Sequence, residues 1–162
     1  MGFELASTRN VMQSYGPRAT SLQYGAQTTR DDGIVKEAIW TFTYDKLPTY
    51  GASNFQFSFP ANCTIVRARL IIDTAFTSTS TTTDLDIGLY TSAGVAIDAD
   101  GLIAAATATQ TAIAVENSVI TGAGALIGVG IGATAGELVV TPTANDLLTG
   151  AGRIVVEYIY NK

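Results

Sequence analysis

Histidine is absent from this chain, and cysteine occurs once, as Cys63. Without histidine there is no ordinary general base at neutral pH and no imidazole metal ligand, so Ser-His-Asp and Cys-His arrangements are excluded. One cysteine excludes an intrachain disulfide and a four-cysteine metal site. Charge is scarce as well: Asp, Glu, Lys and Arg make up 14% of the residues, against about a quarter in an average globular protein. No basic tract suited to a phosphate backbone occurs, so direct nucleic-acid binding is not expected. No uninterrupted apolar run reaches the ~18 residues of a membrane helix, and MGFELASTRN lacks the charged-then-apolar order of a signal peptide. Neither a membrane partner nor a cofactor is expected.

What the chain does contain is a hydrophobic fraction of 47% in 162 residues, enough for one domain with one core. Thr, Ser and Asn fill the polar surface in place of charge, which lowers the cost of close contact with other protein and points toward assembly. The net charge of -5 is uneven. Residues 1–69 hold seven Lys or Arg and five Asp or Glu, whereas residues 70–162 hold two and nine. An acidic C-terminal portion further disfavours nucleic acid.

The chain divides by period. Residues 1–32 have scattered apolar side chains, turn signals at Gly16-Pro17 and Gly25, and no sustained repeat. They read as an extended N-terminal arm, with Phe3, Leu5, Arg9, Val11, Met12, Tyr15, Arg18, Leu22 and Tyr24 as candidates for contact with a partner. Residues 33–162 read as an all-β domain, an antiparallel β-sandwich, because apolar residues recur at period two. IVKEAIWTFTY places Lys36, Ala38, Trp40, Phe42 and Tyr44 on one face. NFQFSF aligns Phe55, Phe57 and Phe59 and stops at Pro60. In TIVRARLIID the alternation puts Val66, Ala68, Leu70 and Ile72 together, opposite Ile65, Arg67, Arg69 and Ile71. Arg67 and Arg69 therefore look outward and join the interface candidates.

TAFTSTSTTTD reads as a Thr-rich loop leading into LDIGLY, whose Leu85, Ile87 and Leu89 face inward, and Gly94 marks a turn. The stretch from Ala99 to Ala106 reads as either a helical turn or an edge loop. AIAVENSVI reads as a strand bulged near Asn117, and ALIGVGIGA as a strand with a bare face of Gly128, Gly130 and Gly132 set against aromatic side chains. TPTANDLL reads as a short capped helix ended by Gly150 and Gly152, followed by the closing strand GRIVVEYIYN. Seven to nine strands result, centred on Trp40, Phe57, Leu70, Ile87 and Val129.

Few side chains suggest chemistry. Asp84 with Asp86, and Asp98 with Asp100 before Gly101, form two carboxylate pairs. The remaining ligands of a calcium loop are missing, so the pairs read chiefly as turn-forming groups that bind local N–H donors. A carboxylate-based hydrolase using them is a remote alternative. Cys63 reads as a small buried hydrophobe with no base to activate it. No catalytic or metal-binding residue is assigned, and the chain is not expected to be an enzyme.

Three stretches, FSFPANCTIVRARLIIDTAF, LDIGLYTSAGVAIDADGLIAA and GAGRIVVEYIYNK, together resemble the small capsid decoration, or cement, proteins of tailed phages. The resemblance implies a jelly-roll type of sandwich and a structural virion protein made in the host cytoplasm and seated on the outer capsid. It implies binding to the major capsid protein lattice at subunit junctions, as a small homo-oligomer for which a trimer would fit, with the arm crossing neighbouring subunits. Other readings are a tail or fibre-attachment component and a carbohydrate-binding, host-recognition module built on exposed aromatic residues.

Overall fold

The computed structural model describes residues 35–47 and 55–160, and of residues 55–57 the backbone alone. Among the described residues there are eight strands: β1 (Val35–Thr43), β2 (Phe55–Phe59), β3 (Cys63–Ser78), β4 (Leu85–Tyr90), β5 (Ala96–Ile103), β6 (Val119–Thr121), β7 (Gly136–Pro142) and β8 (Leu147–Tyr160). One short helix, α1 (Gln110–Ile113), lies between β5 and β6.

The strands form two four-stranded antiparallel sheets, ordered β1-β8-β3-β6 and β2-β7-β4-β5. Each early strand pairs with the late strand that mirrors it: β1 with β8, β2 with β7, β3 with β6 and β4 with β5. Such an order arises when one long antiparallel hairpin is rolled onto itself, and it defines the jelly roll. The tip of that hairpin is the turn at residues 91–95, closed by Thr91 N–H to the Val95 carbonyl at 2.8 Å, with Gly94 at φ 79°.

The inward faces meet in one apolar layer. Leu70, Ile72, Phe76, Ile154 and Val156 come from the first sheet, and Leu85, Ile87, Leu89, Leu138 and Val140 from the second, all 1% exposed or less. Each such side chain contributes about 1.5–3 kcal/mol on burial, set against the conformational entropy of ordering the chain. A stack of Trp40, Phe42 and Phe76, with ring centroids 4.8 and 5.7 Å apart, fills the first sheet's half of the layer at one end. Leu70 and Ile87 sit centrally as expected, and Trp40 packs against the core while partly exposed. The side chain of Phe57 lies outside the described residues.

Several expectations are corrected. In β3 a bulge between Ile65 and Arg67 breaks the alternation, so Ile65 is buried and Val66 is exposed. The segment from Ala99 to Ala106 is strand as far as Ile103, and β3 runs on to Ser78, which shortens the Thr-rich loop. AIAVENSVI is not one strand. The Thr109 hydroxyl accepts the Ala112 N–H at 3.3 Å and starts α1, Asn117 takes φ 60° in a turn, and only Val119–Thr121 is extended.

ALIGVGIGA is a loop. Gly128 and Gly132 adopt φ 81° and 83°, a region open to glycine and closed to most residues. An added Cβ at either would meet nothing within 4 Å, so no aromatic face packs there, and Val129 is half exposed. The loop instead covers the edge of β3: Ile131 N–H bonds the Cys63 carbonyl at 2.9 Å and Gly128 N–H the Ile65 carbonyl at 2.7 Å. TPTANDLL is not helical either. Pro142 ends β7, and Thr143 pairs with the loop before β4, its N–H on the Asp84 carbonyl at 3.1 Å and its hydroxyl accepting Asp84 N–H at 3.1 Å. Gly150 and Gly152 lie inside β8.

Candidate interaction surface

Period-two geometry fixes what the first sheet shows outward. Read across β1, β8, β3 and β6, the outer rows are Val35–Ile159–Thr64, Glu37–Glu157–Arg67, Ile39–Val155–Arg69–Thr121 and Thr41–Arg153–Ile71–Val119. Glu37 and Glu157 stand directly opposite each other, a like-charge pair that costs stability in a sheet. The two arginines singled out from sequence resolve it. Arg69 reaches Glu157 at 2.9 Å and Glu37 at 3.7 Å, while Arg67 lies 3.9 Å from Glu157. Arg153 grips Asp73 through both its Nε and Nη2 atoms, at 2.8–3.1 Å, and that carboxylate raises the guanidinium's affinity for its proton. Arg67 and Arg69 thus look outward as expected, and both are engaged within the chain. The sequence reading did not single out Arg153, Asp73, Glu157 or Ile39. Their period-two positions were visible, but the register that brings them together was not.

Arg69 Nε is buried without a hydrogen-bond partner, so truncating Arg69 removes an orphaned donor together with the ion pair, and a single substitution blends the two effects. A double-mutant cycle of Arg69→Ala and Glu157→Gln separates them. The expected coupling is about 0.5–1 kcal/mol, given that both side chains are part-exposed. Urea denaturation of the four proteins reads it directly, and a coupling within error of zero would leave the pair without a stabilising role.

The carboxylate pairs serve the backbone. Asp84 Oδ1 accepts the Gln110 N–H and Asp86 Oδ1 the Ala105 N–H, each at 2.7 Å, pinning the segment that carries α1 to the start of β4. Among the described residues no cluster of three or more Asp, Glu, His or Cys could hold a metal ion. Burial pushes the Asp86 carboxyl up, opposed by the Ala105 N–H and helped by the charges of Asp100 and Asp84. Asp98 is also raised, first by burial and then by the neighbouring Asp100 carboxyl.

A carboxyl that binds its proton more tightly when folded adds stability in acid, and that stability is lost as pH rises through the folded value. Asp98→Asn is therefore expected to flatten the fall in urea midpoint between about pH 4 and pH 7. An unchanged fall would remove Asp98 from the pH response.

Cys63 is fully buried at the start of β3, and burial raises its thiol to about 11, so it is a packing group and not a nucleophile. Tyr44 is the one strongly exposed aromatic side chain among the described residues, which gives no paired-ring platform for a sugar there. At one end of the sandwich the surface is rich in hydroxyls, with Thr77 bonded to Thr149 at 2.7 Å and Ser80 to Thr82 at 2.8 Å. No helix among the described residues is long and apolar enough to cross a membrane. The arm candidates Phe3, Leu5, Arg9, Val11, Met12, Tyr15, Arg18, Leu22 and Tyr24 lie outside the described residues.

The fold and surface define an eight-stranded jelly roll that presents paired charges and exposed apolar groups. No protein-family model matches the chain, and no curated protein sequence does. Solved structures do. A chain in the capsid of Ralstonia phage GP4 is similar at 20% identity, over 81% of this chain and 87% of that one, with a TM-score of 0.59. A chain in the cyanophage Pam1 capsid asymmetric unit is similar at 20% identity, over 93% and 98% of the two chains, with a TM-score of 0.54. At such identity the likeness is one of fold.

Proposed function

We propose that this chain is a structural virion protein that binds the outer surface of an assembled phage capsid and stabilises the junctions between major capsid subunits. The observation that carries the reading is the jelly roll shared nearly end to end with chains of two phage capsids. The likeness spans most of each of those chains and not a module inside a larger one. The low charge and hydroxyl-rich surface suit extended contact with protein. A role through surfaces and not through catalysis is supported by Asp84 and Asp86, which are taken up by backbone donors, and by the buried Cys63 thiol. Residues 1–32 serve as an arm across neighbouring subunits, and the chain acts as a small homo-oligomer.

The mechanism is linkage. A protein that binds the closed lattice and not its dissociated subunits stabilises the lattice by about 2.7 kcal/mol per site at a hundredfold excess over Kd, and several linked contacts add avidity. Capsids heated with and without the protein are expected to lose integrity at a higher temperature when it is bound. Unchanged integrity at saturating occupancy would rule out stabilisation, and cryo-electron microscopy placing the chain on the tail would rule out the capsid position.

A further inference from the structure

The glycines between β6 and β7 are of two kinds. At Gly122 and Gly124 an added Cβ would stand 2.2 Å from the Leu102 carbonyl oxygen and 2.3 Å from the Gly101 carbonyl, so the chain there lies pressed against β5. Leu126 is buried, and its N–H bonds the Gly101 carbonyl at 2.9 Å. Beyond Leu126 the closeness ends. A Cβ at Gly128 or Gly132 would meet nothing within 4 Å, and one at Gly130 only ordinary contacts at 3.7 and 3.9 Å. Of residues 127–135 Ile131 alone is buried. At Gly136 β7 begins and the chain is buried again.

That loosely held stretch takes the place of a strand. β6 pairs with β3 only at Arg69–Ile71, which leaves the first residues of β3 with β8 on one side and no strand on the other. Residues 128–132 fill the vacant side. Ile131 N–H and Gly128 N–H bond the Cys63 and Ile65 carbonyls, Asn62 N–H reaches the Gly132 carbonyl at 2.7 Å, and Ile65 N–H reaches the Val129 carbonyl at 3.3 Å. Two donors and two acceptors of Asn62–Ile65 are thereby covered. An edge left bare would offer those groups to any extended chain.

We propose that residues 127–133 are a detachable strap, which leaves β3 as one unit while both sheets stay folded and on its return closes the β3 edge against foreign strands. A segment opens below the global transition when few apolar contacts and mostly exposed main-chain bonds hold it. One buried side chain and four such bonds hold this one. Against them stands the conformational freedom of seven residues, three of them glycine, the residue that regains the most. Gly128 and Gly132, at φ 81° and 83°, stand at the two ends of the bonded stretch. Ile131 is the latch: its Cδ1 would lie 3.2 Å from a Cβ added at Gly136, beside the Leu89 side chain. Cys63 stands opposite Ile131 in the register of the strap, fully buried and the one thiol of the chain, so its thiol becomes reachable when the strap lifts.

Thiol labelling and hydrogen exchange of the purified full chain test it. In urea below the unfolding transition, Cys63 is expected to react with an aromatic disulfide probe at a rate almost independent of denaturant, because a local opening exposes little surface. Ile131→Val is expected to raise that rate about two- to tenfold. Phe76→Ala, near the far end of β3, or Phe76→Leu if the alanine form does not fold, is expected to lower the unfolding midpoint and leave the rate unchanged. The amides of Asn62, Ile65, Gly128 and Ile131 are expected to exchange together, at least about tenfold faster than the protected amides of the β3–β8 ladder. Labelling that climbs with urea from the start and follows every loss of global stability, labelling indifferent to Ile131→Val, or four amides that exchange one by one would overturn the proposal.

Discussion

Gly88→Ala is expected to destabilise the protein by about 3 kcal/mol or more, at the upper end of overpacking substitutions. At β4 a Cβ on residue 88 would stand 2.1 Å from the Asp98 carbonyl oxygen and 2.3 Å from the carbonyl of Ala99. Those atoms are backbone, so no side chain can swing aside. Relief requires β5 to move off β4, and that movement would disturb Leu102 and Ile103, both fully buried in the core. By the usual scaling for a chain of this size the midpoint of thermal unfolding falls by roughly 6–12 °C. Calorimetry measures it, and a loss under about 1 kcal/mol would show that β5 is free to shift where the crossing now looks rigid.

Phe76→Ala is expected to cost about 3–5 kcal/mol, the range for an aromatic removed from a close-packed core. Phe76 is fully buried, stacks on Phe42 at 5.7 Å, and lies over Gly150, where an added Cβ would meet its ring at 2.1 Å. Gly150 is held at φ 126° inside β8. The ring thus occupies the place of a side chain on the neighbouring strand, and its loss opens a void that the glycine cannot fill. Phe76→Leu should recover part of the loss. Urea denaturation of both variants checks the order. Equal stability of the alanine and leucine forms would mean that the stack, and not the filled volume, supplies the energy.

The strands legible in the sequence were those where one face was clearly the more apolar. Trp40 and Phe42 outweigh Ile39 on the other face of β1, and Leu85-Ile87-Leu89 stand opposite only Asp86, Gly88 and Tyr90. The same rule failed at residues 125–133, where glycine alternates with aliphatic residues and imitates a strand. There positive φ at Gly128 and Gly132 turns the chain, and its N–H groups go to the edge of β3. It failed again at Ile65, because a bulge is a tertiary event that shifts one residue and exchanges the faces. TPTANDLL carries every local sign of a capped helix, yet the Thr143 hydroxyl finds Asp84 N–H just beyond the end of the β4–β7 ladder. A long-range partner decided that segment, and no local window contains it.

The outer surface was half legible. Alternation alone placed Arg67 and Arg69 outward, but Glu37, Glu157 and Ile39 become their neighbours only once β8 is inserted between β1 and β3. That strand comes last along the chain, so nothing near Arg69 in sequence announces the acids it pairs with.

The pairing of first strand with last also has a consequence in time. β1 has one ladder partner among the described strands, β8, and more than a hundred residues separate them. At translation rates of ~5–20 residues per second, β1 leaves the ribosome roughly 6–25 s before β8 does. Through that interval the strand that carries Ile39, Trp40 and Phe42 has no ladder partner. The edge of β1 therefore stays open until β8 is made, and a pairing of such long sequence separation is of the kind that forms slowly.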